Sequence, residues 1–318
     1  MTHHRPADSS KTPRFTGVRT FMRLPLAETL DGADVAVIGI PTDSAVSFRS
    51  GARFGPEAIR SASVLLRPYN PHLDVDIVER LSMVDFGDAP TVPGYHLESL
   101  ERFEHHRRPV HEAGVVPLCL GGDHSMVLAE LRAAAAVHGP LALVHLDAHA
   151  DVWDQYYGVE HFHGTIFRRA VEEGLVDPAR SVQAGMRGTL YGASDVQAPR
   201  DLGFDALYMH ELAELGPRAY GERVRARVGD APVFLSFDID FVDPAFAPGT
   251  GTPEVGGPSS GEAMAYLRAL VGIDFRGLDC VEVAPAYDPT QTTPWVAASA
   301  CHEMLSLLAQ RSPRGRRD

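Results

Sequence analysis

The chain has 318 residues, 44% hydrophobic and 22% charged, the profile of a globular protein with core enough for one large domain or two small ones. Disorder, collagen and coiled coil are excluded by that composition. A formal net charge of −13, from 29 Lys and Arg against 42 Asp and Glu with 15 His taken as neutral, sets the surface against phosphate backbones and anionic membranes. No nucleic-acid or membrane partner is therefore expected, and a metal ion or a cationic small molecule is.

Apolar β-type runs recur in chain order at 34–41, 81–87, 115–122, 141–147, 181–187, 205–210, 232–240 and 278–285. Several are hydrophobic without alternation, the mark of strands covered on both faces. Helical patterns follow at 97–114, 125–137, 165–175, 261–272 and 295–310. Such alternation predicts one α/β domain over residues 1–318 with a mainly parallel sheet. Residues 1–12 are expected as a flexible extension and 311–318 as a flexible tail. The Gly- and Pro-rich stretches 48–56 and 243–258 are expected as long ordered loops at strand ends, where sites sit.

Cys119, Cys280 and Cys301 lie far apart inside apolar stretches and read as buried inert thiols. The polar N-terminus lacks an apolar signal segment, and no run approaches the roughly 18 to 20 apolar residues that span a bilayer. A cytoplasmic location is expected.

The polar clusters fall directly behind apolar strands. Asp123 and His124 follow 115–120; Asp147, His149 and Asp151 follow 141–146; Asp238, Asp240 and Asp243 follow 233–237; Glu282 lies in 278–285. In parallel sheets the carboxyl ends of the strands are where ligands bind. Extended backbone puts residues i, i+2 and i+4 on one face, so Asp147, His149 and Asp151 can converge, as can Asp238 and Asp240. A single Asp closing a strand is more often a cap or turn former. Both clusters together would repel by roughly 4 kcal/mol per close pair in a partly desolvated crevice, and so require a cation. Carboxylate and imidazole donors without thiolate favour Mn²⁺, with Ni²⁺, Co²⁺ or Zn²⁺ as alternatives. The aspartates at 147, 151, 238 and 240 are balanced by two divalent ions, whereas one would leave about two negative charges unpaired. Two such ions sharing a water would bring its pKa toward neutrality and make a nucleophile.

The motifs GGDHS, DAHAD, HGTIFR, SFDIDFVDPAFAPGTGTPE and VEVAPAYD resemble the ureohydrolase family of arginases and agmatinases, from about residue 13 to the last helix. The resemblance implies a three-layer α/β/α sandwich with a binuclear manganese cluster. It implies that His124, Asp147 and Asp151 hold one metal and His149 and Asp240 the other, with Asp147 and Asp238 bridging. Asp151 would shuttle the proton, Glu282 would grip the guanidinium and His163 would pass protons to solvent. A homo-oligomer, trimer or hexamer, is also implied.

The arginase pattern has an Asn where Trp153 stands, which disfavours arginine and points to the agmatinase-like branch, including guanidinobutyrase and guanidinopropionase. Trp153, Tyr156 and Tyr157 are candidate substrate contacts; Pro294 and Trp295 also depart from the agmatinase-like pattern. An indole near the pocket would shorten it or stack on a cationic guanidine, although Trp295 reads more readily as packing for the last helix. Arg49 and Arg53 are either structural or receive an ω-carboxylate. His145 is expected in the core or behind the ligands, and His105, His106 and His161 at the surface. The expected activity is hydrolysis of a guanidino compound, agmatine first, to an amine and urea. Alternatives are a guanidino-acid or small-guanidine hydrolase, with nickel as an alternative metal, a silent partner subunit, and a single-zinc deacylase.

Overall fold

The computed structural model describes residues 3–311. The described chain runs β1 (Val35–Gly39), α1 (Gly55–Ser63), β2 (Tyr69–Asn70), β3 (Val75–Asp76), α2 (Ile77–Arg80), β4 (Met83–Asp88), α3 (His96–Glu112), β5 (Val116–Leu120), α4 (Val127–His138) and β6 (Ala142–Leu146). It continues through α5 (Ile166–Glu172), β7 (Val182–Met186), α6 (Ala193–Asp201), β8 (Asp205–Tyr208), α7 (Met209–Val228), β9 (Val233–Asp238), α8 (Ser260–Arg268), β10 (Phe275–Val281) and α9 (Thr292–Arg311). Strands β2 and β3 form a small antiparallel pair; the other eight make one parallel sheet in the order β4-β1-β5-β10-β9-β6-β7-β8.

Alternate residues of each central strand face opposite layers. On β1, Val35 and Val37 join a core with residues of α1, α7, α8 and α9, whereas Ala36 and Ile38 join one with residues of α3, α4 and α5. The sheet is thus covered on both sides, and the expected α/β/α sandwich is what the chain forms. Each expected sheet strand is present.

Between β5 and β6 the chain skips the places that β9 and β10 later fill. Leu146 of β6 lies beside Phe237 of β9, and Asp238 beside Val281 of β10. Asp147, Asp238 and Glu282 therefore leave neighbouring strands side by side, at the position where parallel sheets bind ligands.

Four helices escaped the hydrophobic pattern: α1, α2, α6 and α7. The run 205–210 ends as a strand at Tyr208, because the Glu211 carboxylate accepts from Tyr208 N at 2.8 Å and opens α7 at Met209. Within α7, Gly216 at φ 72° and Pro217 break the periodicity that would have revealed it. Residues 3–7, expected within a flexible extension, make defined contacts: Met83 N donates to His4 O at 3.4 Å, Ala7 N to Arg23 O at 3.0 Å, and Arg5 Nη1 to Glu79 Oε1 at 2.9 Å. Residues 312–318 of the expected tail lie outside the described residues. All three cysteines are buried and free. No helix among the described residues is long and apolar enough to cross a membrane.

Candidate metal centre

Asp147, Asp238 and Asp240 each divide their two oxygens between backbone and crevice. Asp147 Oδ1 accepts from His149 N at 2.6 Å, Asp238 Oδ1 from Asp240 N at 2.8 Å, and Asp240 Oδ1 from Ala148 N at 3.1 Å. These bonds are the caps and turns that an Asp at a strand end ordinarily makes. The second oxygens, and Asp147 Oδ1 as well, face imidazole nitrogens. His124 Nδ1 lies 3.2 Å from Asp147 Oδ2, 3.0 Å from Asp151 Oδ2 and 3.3 Å from Asp238 Oδ2. His149 Nδ1 lies 3.4 Å from Asp147 Oδ1 and 3.1 Å from Asp240 Oδ2. Two donor clusters thus share Asp147.

Hydrogen bonds behind the ligands settle what His124 presents. Its Nε2 lies 2.8 Å from Ser236 Oγ, whose hydroxyl donates to Asp279 Oδ1 at 2.9 Å. Ser236 has spent its proton on Asp279, so it accepts from His124 Nε2, and the neutral ring presents an Nδ1 lone pair to the crevice. That nitrogen is buried without a hydrogen-bond partner, facing carboxylate oxygens that also carry lone pairs. Either a proton on Nδ1, which burial opposes but the facing aspartates favour, raising the His124 pKa well above its ordinary value, or a metal cation in its place reconciles them, and the donor set fits a divalent ion. The acids carry the same message: burial, then the charges of Asp240 and Asp147, push Asp238 well above the ordinary carboxylate range. Burial and Asp147 push Asp240 up to about 6.

His145 sits within reach of the first cluster but serves it from behind. Gln183 Nε2 donates to Ala150 O at 2.7 Å and lies 3.0 Å from His145 Nδ1, which therefore accepts. His145 Nε2 is left to donate to Asp147 Oδ2 at 2.8 Å, fixing the shared carboxylate. The sequence placed His145 behind the ligands but held no sign of Gln183, Ser236 or Asp279, because these partners meet only when the strands align.

Glu282 is buried, and its Oε1 accepts from His124 N at 2.9 Å and lies 3.1 Å from His163 Nδ1. Its Oε2 has no hydrogen-bond partner among the described residues. Ser47 N donates to His163 Nε2 at 3.1 Å, so the His163 proton sits on Nδ1 and points at Glu282. Burial disfavours the His163 cation, but the hydrogen bond and charge of Glu282 carry the net pKa shift upward. Asp151 at φ 51° and Glu282 at φ 62° adopt the left-handed backbone that side chains rarely tolerate, a strain that gathers at functional sites.

A cavity of about 430 Å³ opens onto this centre, lined by His149, Asp151, Asp238 and His163 and then by Trp153 and Tyr156. Trp153 and Tyr156 stack at 5.0 Å and 10°, and Tyr191, absent from the sequence-based candidates, tilts against Trp153 at 5.6 Å. Tyr157 is not among the lining residues; it is 74% exposed and packs edge-on against Tyr156. Trp295 is likewise outside the lining and exposed on α9, so it neither shortens the pocket nor packs that helix inside the core. Arg53 pairs with Asp43, and Arg49 lies over the rings of Phe48 and Tyr287. Asp123 caps the turn at Ser125, and Asp243 accepts from Ala245 N, Gly256 N and Gly257 N to shape its loop. His105 is exposed as expected, whereas His106 and His161 are half-buried.

The fold and the shared His/Asp clusters are those of a metallohydrolase, and residues 33–306 match the model of the arginase family. The chain belongs to that family. It is 44% identical to the guanidinopropionase of Pseudomonas aeruginosa over 98% of each chain. It is also 44% identical to the agmatinase of a Neisseria meningitidis serogroup C strain, over 90% of this chain and 92% of that one. The solved structure of proclavaminate amidinohydrolase from Streptomyces clavuligerus superposes with a TM-score of 0.90 at 41% identity, over 94% of this chain and 99% of that one.

Proposed function

We propose that the protein is a binuclear metal-dependent amidinohydrolase that converts a guanidino compound and water to an amine and urea, with agmatine the first substrate to test. The observation that carries this reading is the division of Asp147, one oxygen facing each imidazole of the two clusters. His124, Asp147, Asp151 and Asp238 would hold one cation, and His149 and Asp240, with Asp147 and Asp238 shared, the other. Two divalent cations there supply a nucleophilic water at neutral pH and stabilise the charge that develops on the attacked carbon's substituents.

A guanidinium is planar, and its N–H groups suit a carboxylate acceptor. Glu282 Oε2, buried and without a hydrogen-bond partner among the described residues, is that acceptor. Water adds to the guanidino carbon, and the bond from that carbon to the substituted nitrogen breaks. The departing amine needs a proton; Asp151, on the cavity wall with its Oδ2 3.0 Å from His124 Nδ1, takes it from the water and returns it to the amine. His163, with its Nδ1 proton directed at Glu282 and its Nε2 against Ser47, passes the surplus proton outward.

Manganese is the first metal to load, given carboxylate and imidazole donors without thiolate, with nickel and cobalt as comparisons. A cytoplasmic homo-oligomer completes the proposal. A second reading, a guanidino-acid hydrolase, is favoured by the similarity to guanidinopropionase. Mn²⁺-loaded protein offered agmatine, 4-guanidinobutyrate, 3-guanidinopropionate, guanidine and arginine should release urea from at least one and bind two metals per chain. No urea from any of them would sink the proposal.

A further inference from the structure

One arginine stands beside the metal centre without pairing with its carboxylates. Arg187 directly follows β7, and its own backbone N donates to Ala148 O at 3.0 Å, between Asp147 and His149 in the chain. The side chain gives its N–H groups to main-chain carbonyls. Nη1 donates to Gly185 O at 3.2 Å, Nη2 to Asp240 O at 2.7 Å and Glu254 O at 2.9 Å, and Nε to Glu254 O at 3.3 Å. The planar guanidinium thereby joins the end of β7, the ligand turn at 238–240 and the loop 243–258. Two glycines make its seat: a Cβ on Gly257 would lie 2.5 Å from Nη2, and one on Gly185, at φ 110°, would press on the Phe241 ring and sit 2.7 Å from Asp147 O.

The charges that act on this guanidinium are carboxylates, Asp240 most strongly, then Asp147, Asp243 and Glu254. Ordinarily a guanidinium pairs with such a neighbour through two parallel N–H bonds. Here a pair of that kind would engage the Asp240 oxygen that faces His149 Nδ1 at 3.1 Å, and so supply from within the charge that the crevice draws from outside. Turning toward it would break bonds to carbonyls in three segments at once, so the fork stays on the main chain. An ammonium in the same place has no fork to lock it. It is a compact charge on a flexible stem, free to settle on the carboxylate.

We infer that Arg187 is a positioning residue for the cation held by His149 and Asp240. Its fork fixes the Asp240 main chain against the loop 243–258 and keeps the guanidinium off the Asp240 carboxylate, which stays open to the metal. This rests on the binuclear amidinohydrolase reading above.

The test is a Mn²⁺ titration of the metal-free full chain, with free ion read from its electron paramagnetic resonance signal, for wild type, Arg187→Lys and Arg187→Met. Arg187→Lys keeps the charge but not the fork, so affinity at one of the two sites should fall roughly 10- to 100-fold and at the other by less than about threefold. Arg187→Met loses the fork and the competing charge together, and its fall should be smaller, roughly 3- to 10-fold. The conservative replacement is thus the more damaging, an order that an arginine serving only the fold would not give. Urea denaturation of the metal-free forms should place Arg187→Lys level with Arg187→Met or above it, so instability does not account for the lost metal. Wild-type affinity in Arg187→Lys, affinity there no lower than in Arg187→Met, equal loss at both sites, or failure of both variants to fold would overturn the inference, while a wild type that binds two Mn²⁺ and releases urea upholds the amidinohydrolase reading. A wild type that binds fewer than two Mn²⁺ per chain would overturn both.

Discussion

Two sets of strand carboxylates, one inside edge strand β4 and one at the carboxyl ends of the central strands, are resolved in opposite ways. On edge strand β4, Asp85 is buried and fully satisfied: Oδ2 accepts from Phe21 N and Arg60 Nε, and Oδ1 from Arg60 Nη2 and Gly87 N. Arg60 also reaches Asp88 at 2.5 Å. At the ends of central strands β6 and β9, Asp147, Asp238 and Asp240 are equally buried, yet among the described residues no guanidinium or ammonium pairs with their carboxylates, Arg187 reaching only the backbone carbonyl of Asp240. The first set is a closed ion cluster supplied by the chain; the second asks for its counter-charge from outside. A buried carboxylate on the sheet is therefore a candidate site only where the fold withholds its own cation.

The sharpest way to break that contrast is to remove the shared acid. Asp147→Asn should cost at least about 10³-fold in kcat, several kcal/mol of barrier, and lower bound metal by elemental analysis. In the closed cluster, Arg60→Met should leave Asp85 buried without its partner and destabilise the protein by about 3–5 kcal/mol, seen in urea denaturation, whether or not metal is present. Activity per folded molecule should persist there. Metal at about 100 times its dissociation constant should stabilise the wild type by about 2.7 kcal/mol, an increment that a chelator reverses and Asp147→Asn lacks.

Gln183→Leu should free the His145 ring and weaken metal affinity by about 10- to 100-fold in a competitive chelator titration, with little loss of stability. pH sharpens the comparison last. Because the Asp240 carboxyl of the metal-free protein is held at about 6, a cation must displace a proton below that pH. Metal affinity should then fall as the pH drops through about 6, by about tenfold per pH unit for one proton. A pH-independent affinity between 5 and 7 would contradict the crowding of the acids.

Much of this was legible in the chain itself. Buried parallel strands are written as continuous apolar runs, so residues such as Val35–Gly39 and Val233–Asp238 stand out without alignment. The acids and histidines behind them were legible for the same reason, since a strand end fixes where the next side chains point. Helices that lean on Gly and Pro were not: α1 opens with Gly55 and Pro56, and α7 turns at Gly216. The closed cluster was also hidden, because Arg60 and Asp85 are 25 residues apart and nothing local marks them as partners. Tyr157 looked like Tyr156 in sequence, but a left-handed backbone at φ 52° carries it out to solvent.

The stacked indole of Trp153 gives the protein a built-in optical reporter. The chain has two tryptophans, and the second, Trp295, is 55% exposed on α9 and outside the cavity. Trp295→Phe would leave all indole emission to come from the cavity wall. A ligand settling on that wall should change the intensity and maximum of the emission without any product being formed, so occupancy and turnover can be timed separately in one cuvette.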